Sequence, residues 1–276
     1  MSKPQYAVFG QPIAHSLSPR IHAMFAAQLG IALDYRAIEA GREEFADALA
    51  RFAREGGRGA NVTLPLKQDA LLLCAEASAR AKRCGSVNTL IRDGERWRGD
   101  STDGAGLLRD LRERHAFEPR GRHCLLIGAG GAARAVAFAL ADAGIERLAI
   151  ANRTHANAIA LAQAIGATNA EALTFEELGV TAAFDVVVHA TAAGHANAEF
   201  RFPRTLVAAH TLCYDLSYGS AALAFLRWAR AAGATRASDG LGMLIEQAAD
   251  SFDLWHGQRP DTAPVFAVFQ HAMASK

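Results

Sequence analysis

The stretch Leu125-Leu126-Ile127-Gly128-Ala129-Gly130-Gly131-Ala132-Ala133-Arg134 decides the fold. Its apolar run predicts a buried strand, its glycines a tight turn, and its alanines a helix. In this G-x-G-x-x-A pattern the second glycine lets a ligand approach the backbone, and Ala133 lets the helix pack closely on the strand. A helix N-terminus also offers N–H groups to phosphates. We therefore predict a dinucleotide site at Gly128, Ala129, Gly130, Gly131 and Ala132; a glycine turn without a ligand is the alternative.

Strands and helices alternate on both sides of this stretch. The strands are predicted at residues 6–10, 34–38, 61–64, 87–91, 96–98, 124–127, 148–151, 185–189, 212–215 and 235–237. The helices are predicted at 18–29, 43–54, 104–114 and 241–255, with a last one beginning near Pro264. Ser18 is expected to cap the first helix, since serine accepts hydrogen bonds from free N–H groups there. The alternation indicates βαβ units and largely parallel sheets.

Length and composition narrow the class of protein. The chain has 276 residues, more than a single core usually serves, so we expect two domains. The net charge of +1 comes without a block of Lys and Arg, which argues against a nucleic-acid partner. No secretory signal and no run of about 18 apolar residues is found, so a cytoplasmic protein without a membrane partner is expected. Four scattered cysteines, with no C-x-x-C pair, predict neither a metal site nor disulfides.

The strand predicted at 148–151 ends at Ala151 and is followed by Asn152-Arg153-Thr154. NAD enzymes place an acidic residue at about this point to hold the ribose 2′-hydroxyl. Here the position carries an arginine, whose guanidinium suits a 2′-phosphate. The sequence therefore favours NADP(H) over NAD as cofactor, and a solvated Arg153 is the alternative.

Lysine is rare in this chain. Only four of the 29 basic residues are lysines, and Lys67 ends the otherwise uncharged run Asn61–Lys67. A lysine, unlike an arginine, can release its proton when its surroundings disfavour the charge. Lys67 is therefore a candidate for proton chemistry, with an ordinary surface lysine as the alternative.

Taken together, the ordered motifs resemble those of the shikimate dehydrogenase family. They are Ser16–Pro19, Asn61–Lys67, Gly85–Thr89, Gly99–Gly104, the glycine turn, Asn152–Thr154 and Asp239–Leu244, leading to Gln247. The resemblance implies two α/β domains separated by a cleft. Residues 1–103 would form a substrate domain with a mostly parallel sheet, completed by C-terminal helices 241–276, and residues 104–240 a Rossmann-like NADP domain. It also implies NADPH-dependent reduction of 3-dehydroshikimate to shikimate, in the pathway to aromatic amino acids.

The resemblance also assigns roles to particular residues. It implies that Lys67 and Asp103 form the catalytic pair, although Asp103 read by itself could be a helix cap. The substrate-binding residues it implies are Ser16, Ser18, Thr63, Asn88, Tyr218 and Gln247. The cofactor-binding residues, beyond the glycine turn, are Asn152, Arg153, Thr154, Thr191, Leu216 and Gly240.

Some positions depart from the family pattern. The segment His189-Ala190-Thr191-Ala192-Ala193-Gly194 replaces the usual Asn-Ala-Thr-Ser-Ser-Gly, which removes polar groups beside the cofactor. His155 stands where a further basic residue is common, and Leu216 where methionine is frequent. A paralogue that also takes quinate or NAD is therefore a rival hypothesis, and a non-catalytic dinucleotide-binding regulator is a second one. The expected assembly is a monomer or a homodimer.

Overall fold

The computed structural model describes residues 3–166, 169–191 and 202–274. It divides into two compact units, one formed by Met1–Gly106 with Leu244–Lys276 and the other by Leu107–Met243. The boundaries expected from the sequence lie three residues before each of these divisions. Both units are α/β structures with sheets rich in parallel strands, as the sequence predicted.

The first unit is built on a six-stranded sheet of order β2-β1-β3-β5-β6-β4. Strand β1 pairs in parallel with β2 and β3, whereas β5 forms an antiparallel hairpin with β6. The strands are β1 (Gln5–Gly10), β2 (Asp34–Glu39), β3 (Gly57–Val62), β4 (Glu76–Ala77), β5 (Thr89–Asp93) and β6 (Arg96–Asp100). The helices are α1 (Ser18–Leu29), α2 (Phe45–Arg54), α3 (Lys67–Leu72), α4 (Ala79–Cys84), and the later α9 (Leu241–His256) and α10 (Ala263–Ala274), with α9 beginning in the second unit.

Apolar periodicity explains how this sheet is covered. Phe45, Leu49 and Phe52 recur at helical spacing on α2, and all three are buried, which is the pattern of a helix with one apolar face. Phe9 of β1 meets Phe45 and Phe52 edge to face. The glycine of the Asp93-Gly94 turn has φ +58°, the left-handed geometry that a tight hairpin needs.

The second unit is a fully parallel six-stranded sheet of order β12-β11-β10-β7-β8-β9. Numbered within the unit this is the 3-2-1-4-5-6 order of dinucleotide-binding folds, in which the chain changes direction between β7 and β10. The strands are β7 (His123–Ile127), β8 (Arg147–Ala151), β9 (Ala170–Leu173), β10 (Val186–His189), β11 (Leu212–Asp215) and β12 (Arg236–Ser238). The helices are α5 (Asp103–Glu113, which begins in the first unit), α6 (Gly131–Asp142), α7 (His155–Ile165) and α8 (Leu223–Ala231).

Several local predictions are corrected by the structure. Ser18 does not cap α1: the helix already includes Ser18, Leu17 precedes it, and no side-chain cap is formed. Strand β3 runs over Gly57–Val62, earlier than the predicted 61–64. Two short edge strands, β4 and β9, were not predicted. Among the described residues, no helix combines the length and apolar character that crossing a membrane requires.

Candidate active site

Lys67 and Asp103 meet in the first unit although 36 residues separate them. Each is the first residue of its helix, Lys67 of α3 and Asp103 of α5. The ammonium Nζ lies 2.5 Å from Asp103 Oδ2, and the side chains are only 13% and 5% exposed. A helix N-terminus favours an anion and disfavours a cation, so Asp103 suits its position and offsets the less favourable position of Lys67. The two groups form a nearly buried, charge-assisted hydrogen bond.

Asn88 connects this pair to α9. Its Nδ2 lies 2.9 Å from Asp103 Oδ1, 2.8 Å from Thr102 Oγ1 and 3.0 Å from Gln247 Oε1. Its Oδ1 accepts hydrogen bonds from Thr102 N and Thr89 Oγ1. The amide is therefore held at both ends, which fixes its orientation and leaves Asp103 Oδ1 with a defined donor.

A close backbone approach brings Gln247 into this cluster. A Cβ placed on Gly106 would lie 2.8 Å from the Gln247 backbone N, closer than real side chains allow. Glycine at 106 therefore lets α5 approach α9. Thr102 Oγ1 donates to Gln247 O at 3.0 Å, so four of the sequence-predicted residues share one polar cluster: Lys67, Asp103, Asn88 and Gln247.

A second polar layer lies beneath this cluster. Asn61 Nδ2 donates to Ser251 Oγ at 2.9 Å, and Ser251 in turn lies 2.7 Å from Thr89 Oγ1. Tyr35 donates its hydroxyl to Asn61 Oδ1 at 2.7 Å, and burial raises the pKa of that phenol well above its usual value. The polar site is thus supported by buried, hydrogen-bonded side chains that restrict its motion.

Below Asn61 lies a cluster of aromatic rings around His22. The imidazole stacks on the Tyr35 ring, with ring centroids 4.3 Å apart and an interplanar angle of 7°. His22 has no exposed surface. Burial lowers the pKa of His22 to about 3, and the neighbouring Asn61 opposes this only in part. His22 is therefore a neutral ring in the core and no candidate for acid–base chemistry at neutral pH.

Of the remaining predicted substrate residues, Ser18 begins α1, and Ser16, Thr63 and Tyr218 lie outside the helices and strands. Ser16 Oγ accepts a hydrogen bond from Ser18 N at 3.3 Å, and Ser18 itself is buried at the start of α1. Thr63 follows β3 directly, and its N–H donates to Phe9 O at the end of β1. Tyr218 belongs to the second unit, where it precedes a short 3₁₀ turn.

The glycine turn of the second unit has the predicted strand–turn–helix form. Gly128 ends the apolar run with φ +126°, and a Cβ there would lie 2.5 Å from Ala190 O. Gly130 precedes α6, and a Cβ there would meet only open space, so backbone amides at the helix N-terminus are accessible. Ala133 is fully buried, consistent with close packing of α6. These features fit a bound pyrophosphate.

The other cofactor candidates follow neighbouring strands. Asn152, Arg153 and Thr154 follow β8, with Asn152 Nδ2 donating to Thr154 O at 2.9 Å and Arg153 exposed. Leu216 follows β11, and a Cβ on Gly240 would clash with Leu216 O. Ligands of such sheets bind outside the carboxyl ends of the strands, where these residues lie. An exposed guanidinium at the end of β8 suits a 2′-phosphate.

His189 was noted in the sequence only as a departure from the family pattern. In the structure it is fully buried at the end of β10, with Nδ1 3.0 Å from Asp215 Oδ2 and Nε2 2.6 Å from Thr191 Oγ1. Asp215 Oδ1 accepts from Ser217 N at 2.8 Å. Residues Ala192, Ala193 and Gly194 of the same departure lie outside the described residues.

Family models match most of the chain. Residues 8–90 match the shikimate dehydrogenase substrate binding domain, residues 111–211 the shikimate / quinate 5-dehydrogenase model, and residues 240–265 the shikimate 5′-dehydrogenase C-terminal domain. Shikimate dehydrogenase (NADP(+)) of Xanthomonas campestris pv. campestris (strain B100) is 55% identical over 265 residues, which cover 95% of this chain and 94% of the relative. The chain belongs to the shikimate dehydrogenase family.

Solved structures of similar proteins agree with the fold. The Ael1 enzyme from Pseudomonas putida superposes with a TM-score of 0.88 at 39% identity, covering 96% of this chain and 97% of that one. Shikimate 5-dehydrogenase from Thermus thermophilus, in complex with NADP(H) and shikimate, gives 0.83 at 34% identity, covering 98% and 99%. The substrate-domain match falls in the unit that carries Lys67 and Asp103.

Residues to which the sequence analysis assigned no role complete both sites. They are Tyr35, Asn61, Thr89, Thr102 and Ser251 in the first unit, and His189 with Asp215 in the second. Asn61, Thr89 and Thr102 belong to the family motifs Asn61–Lys67, Gly85–Thr89 and Gly99–Gly104, so their positions in the sequence gave a signal. Tyr35 and Ser251 stand in an alternating strand and an apolar helix, where nothing distinguishes them.

Proposed function

We propose that the protein catalyses the reversible NADPH-dependent reduction of 3-dehydroshikimate to shikimate, an oxidoreductase step of the cytoplasmic pathway to chorismate and the aromatic amino acids. The observation that carries this proposal is the 2.5 Å contact between Lys67 Nζ and Asp103 Oδ2 in a nearly buried polar cluster. Family membership and a shikimate dehydrogenase (NADP(+)) relative at 55% identity support the same reaction.

The chemistry assigned to Lys67 is proton transfer. During reduction, the ketone oxygen gains negative charge as hydride reaches its carbon, and the Lys67 ammonium donates the proton that makes it a hydroxyl. In the reverse direction the Lys67 amine accepts that proton. Asp103 Oδ2 positions the amine, and Asn88 orients Asp103 through its other oxygen.

The substrate residues supply hydrogen bonds of several kinds. We assign the hydroxyls of Ser16 and Ser18 to the substrate carboxylate, and Thr63, Asn88 and Gln247 to the ring hydroxyls. Tyr218 is assigned to the substrate by the family resemblance alone. Asn88 and Gln247 are both buried and both hydrogen-bonded within the cluster. Side chains held in fixed positions lose little conformational freedom when they exchange these bonds for bonds to the hydroxyls of a ring.

Bound NADPH supplies the hydride. The glycine turn would present N–H groups of α6 to its pyrophosphate, and Arg153 would meet its 2′-phosphate, flanked by Asn152 and Thr154. Thr191, Leu216 and Gly240 would border the nicotinamide half. The accessible backbone at Gly130 and the exposed Arg153 side chain both support this assignment.

Steady-state kinetics test the function directly. Purified protein should reduce NADP+ in the presence of shikimate, and kcat/KM should be higher than with quinate or with NAD+. A protein that prefers quinate with NAD+ would belong to the rival paralogue class. A protein that binds NADPH and oxidises none of these acids would be the non-catalytic regulator. Light scattering would decide between the monomer and the homodimer.

A further inference from the structure

The buried pair His189 and Asp215 has no part in the proton transfer described above. Both residues have no exposed surface, and they face each other at the carboxyl ends of the neighbouring parallel strands β10 and β11. An imidazole and a carboxylate buried together require defined hydrogen bonds, because unpaired polar groups are costly there. The contacts of the pair include Nδ1 to Oδ2, Nε2 to Thr191 Oγ1, and Ser217 N to Oδ1.

The donors and acceptors available on each side chain set the direction of these hydrogen bonds. A carboxylate only accepts, so His189 Nδ1 carries the proton that binds Asp215. In the neutral tautomer that carries its proton on Nδ1, Nε2 is an acceptor, and Thr191 Oγ1, 2.6 Å away, is the donor to it. In that arrangement the hydroxyl proton of Thr191 is used by His189, so Thr191 Oγ1 would meet a ligand as an acceptor.

Thr191 lies beside the glycine turn. A Cβ on Gly128 would lie 3.3 Å from Thr191 Cγ2, so the residue adjoins the first glycine of the turn. It follows β10, which neighbours β7 where the strand order reverses, the position at which such sheets bind ligands. The same pair also holds the next loop, because Asp215 accepts from Ser217 N and His189 O accepts from Leu216 N.

We propose that Asp215 and His189 are positioning residues that fix Thr191 as a hydrogen-bond acceptor for the dinucleotide. Its partner is a donor on the nicotinamide half, either the carboxamide N–H or a ribose O–H, and not the pyrophosphate, which only accepts. This inference rests on the proposed function for the identity of the dinucleotide. His189, which in the sequence was a departure from the family pattern, is thus a working part of the cofactor site.

Asp215→Asn tests the direction of the hydrogen bonds from Asp215 through His189 to Thr191, with little change in the shape of the side chain. Its oxygen still accepts from Ser217 N, but its amide now donates to His189 Nδ1, which moves the imidazole proton to Nε2. Thr191 then becomes a donor to the ligand. We expect the Kd for NADPH, measured by direct fluorescence titration, to rise about fivefold to tenfold, the value of one net hydrogen bond. Thr191→Val should give a similar loss, Thr191→Ser should recover most of it, and Asp215→Asn combined with Thr191→Val should lose little more than either alone.

Asp185→Asn is the matched control. Asp185 also receives a backbone N–H, from His123 at 2.8 Å, but it stands at the opposite end of β10. Its substitution should leave the Kd for NADPH unchanged. Imidazole ¹⁵N spectra give a readout independent of binding: His189 Nε2 should resonate as an unprotonated nitrogen in the natural protein and as a protonated one in Asp215→Asn.

The 3-acetylpyridine analogue of NADPH distinguishes the two donors, because it lacks the carboxamide N–H. A loss confined to NADPH assigns the carboxamide, and an equal loss with both assigns the ribose. Folded Asp215→Asn and Thr191→Val proteins that bind both ligands like the natural protein would overturn the inference. If the natural protein binds NADPH and the variants lose affinity, but shikimate is not oxidised, the inference stands and the proposed function fails.

Discussion

The buried imidazole of His22 should make the first unit sensitive to acid. Its ring lies among Tyr35, Phe25, Phe252 and Trp255, with centroids 4.3–6.1 Å away, and among the described residues neither ring nitrogen has a hydrogen-bond partner. Burial lowers the pKa of His22 to about 3, against 6.5 for an unperturbed histidine. A protonated ring at this position would be an uncompensated charge in the core.

The magnitude follows from proton linkage. Between pH 6.5 and about 3, the unfolded chain binds a proton at His22 that the folded chain does not, so stability is complete above this window and falls as the pH falls through it. With these two pKa values, His22 should remove about 2 kcal/mol from the free energy of unfolding at pH 5 relative to pH 8.

Urea denaturation at pH 8 and pH 5, followed by tryptophan fluorescence, measures this effect. Trp255 reports on it directly, because its ring lies 5.2 Å from His22. His22→Leu keeps an apolar side chain of similar volume but cannot titrate. We expect the natural protein to lose about 2 kcal/mol more between the two pH values than this variant does. His15→Leu replaces an exposed histidine of the same unit, and its pH dependence should match that of the natural protein.

The comparison of pH dependence separates titration from packing. Any packing defect in His22→Leu lowers its stability at both pH values alike, so it cancels in the difference. Equal losses between pH 8 and pH 5 in the natural protein and in His22→Leu would refute the reasoning, since His22 would then keep an ordinary affinity for protons in the folded state or would gain a compensating partner.

Three further predictions concern catalysis, the cofactor and a close contact. Lys67→Ala should lower kcat by about 10²–10⁴-fold with a modest change in KM. The control variant Lys82→Ala, which replaces an exposed lysine, should be active. Near-normal turnover of Lys67→Ala would remove Lys67 from the mechanism. Arg153→Ala should raise the Kd for NADPH far more than that for NADH, measured by titration, and equal increases would mean that no 2′-phosphate is bound there. Gly242→Ala places a Cβ onto buried Asp110 and should lower the free energy of unfolding by about 1–3 kcal/mol in urea, whereas Gly179→Ala, which faces open space, should not.

The strongly patterned parts of the fold could be predicted from the sequence. The run before Gly128 is apolar and continuous because β7 is central in a fully parallel sheet, covered on both faces. Phe45, Leu49 and Phe52 gave α2 through helical spacing. Strand β9 was missed because Ala170–Leu173 reads Ala-Glu-Ala-Leu, residues that favour helix, and only its edge pairing with β8 makes it a strand.

Buried polar residues mark the limit of what a sequence pattern reveals. Buried apolar residues recur at helical spacing along α9 (Leu241, Ile245, Ala248 and Phe252), but Gln247 and Ser251 of the same helix are buried as well. Their burial depends on Asn88, Asn61 and Thr89, which reach them from distant parts of the chain. Hydrophobic periodicity cannot report a buried position whose environment is polar, because such a residue has the same character as one in water.

The pair His189 and Asp215 shows which single piece of information was missing. Both predicted strands ended at these residues, and parallel neighbours in register bring their carboxyl ends together. The sequence together with the single fact that β10 and β11 are adjacent would therefore have placed the imidazole beside the carboxylate. Adjacency is set by how the strands pack into the sheet, and no local motif encodes it. A histidine that ends one strand, and an aspartate that ends its neighbour, gain their chemical meaning only when that order is known.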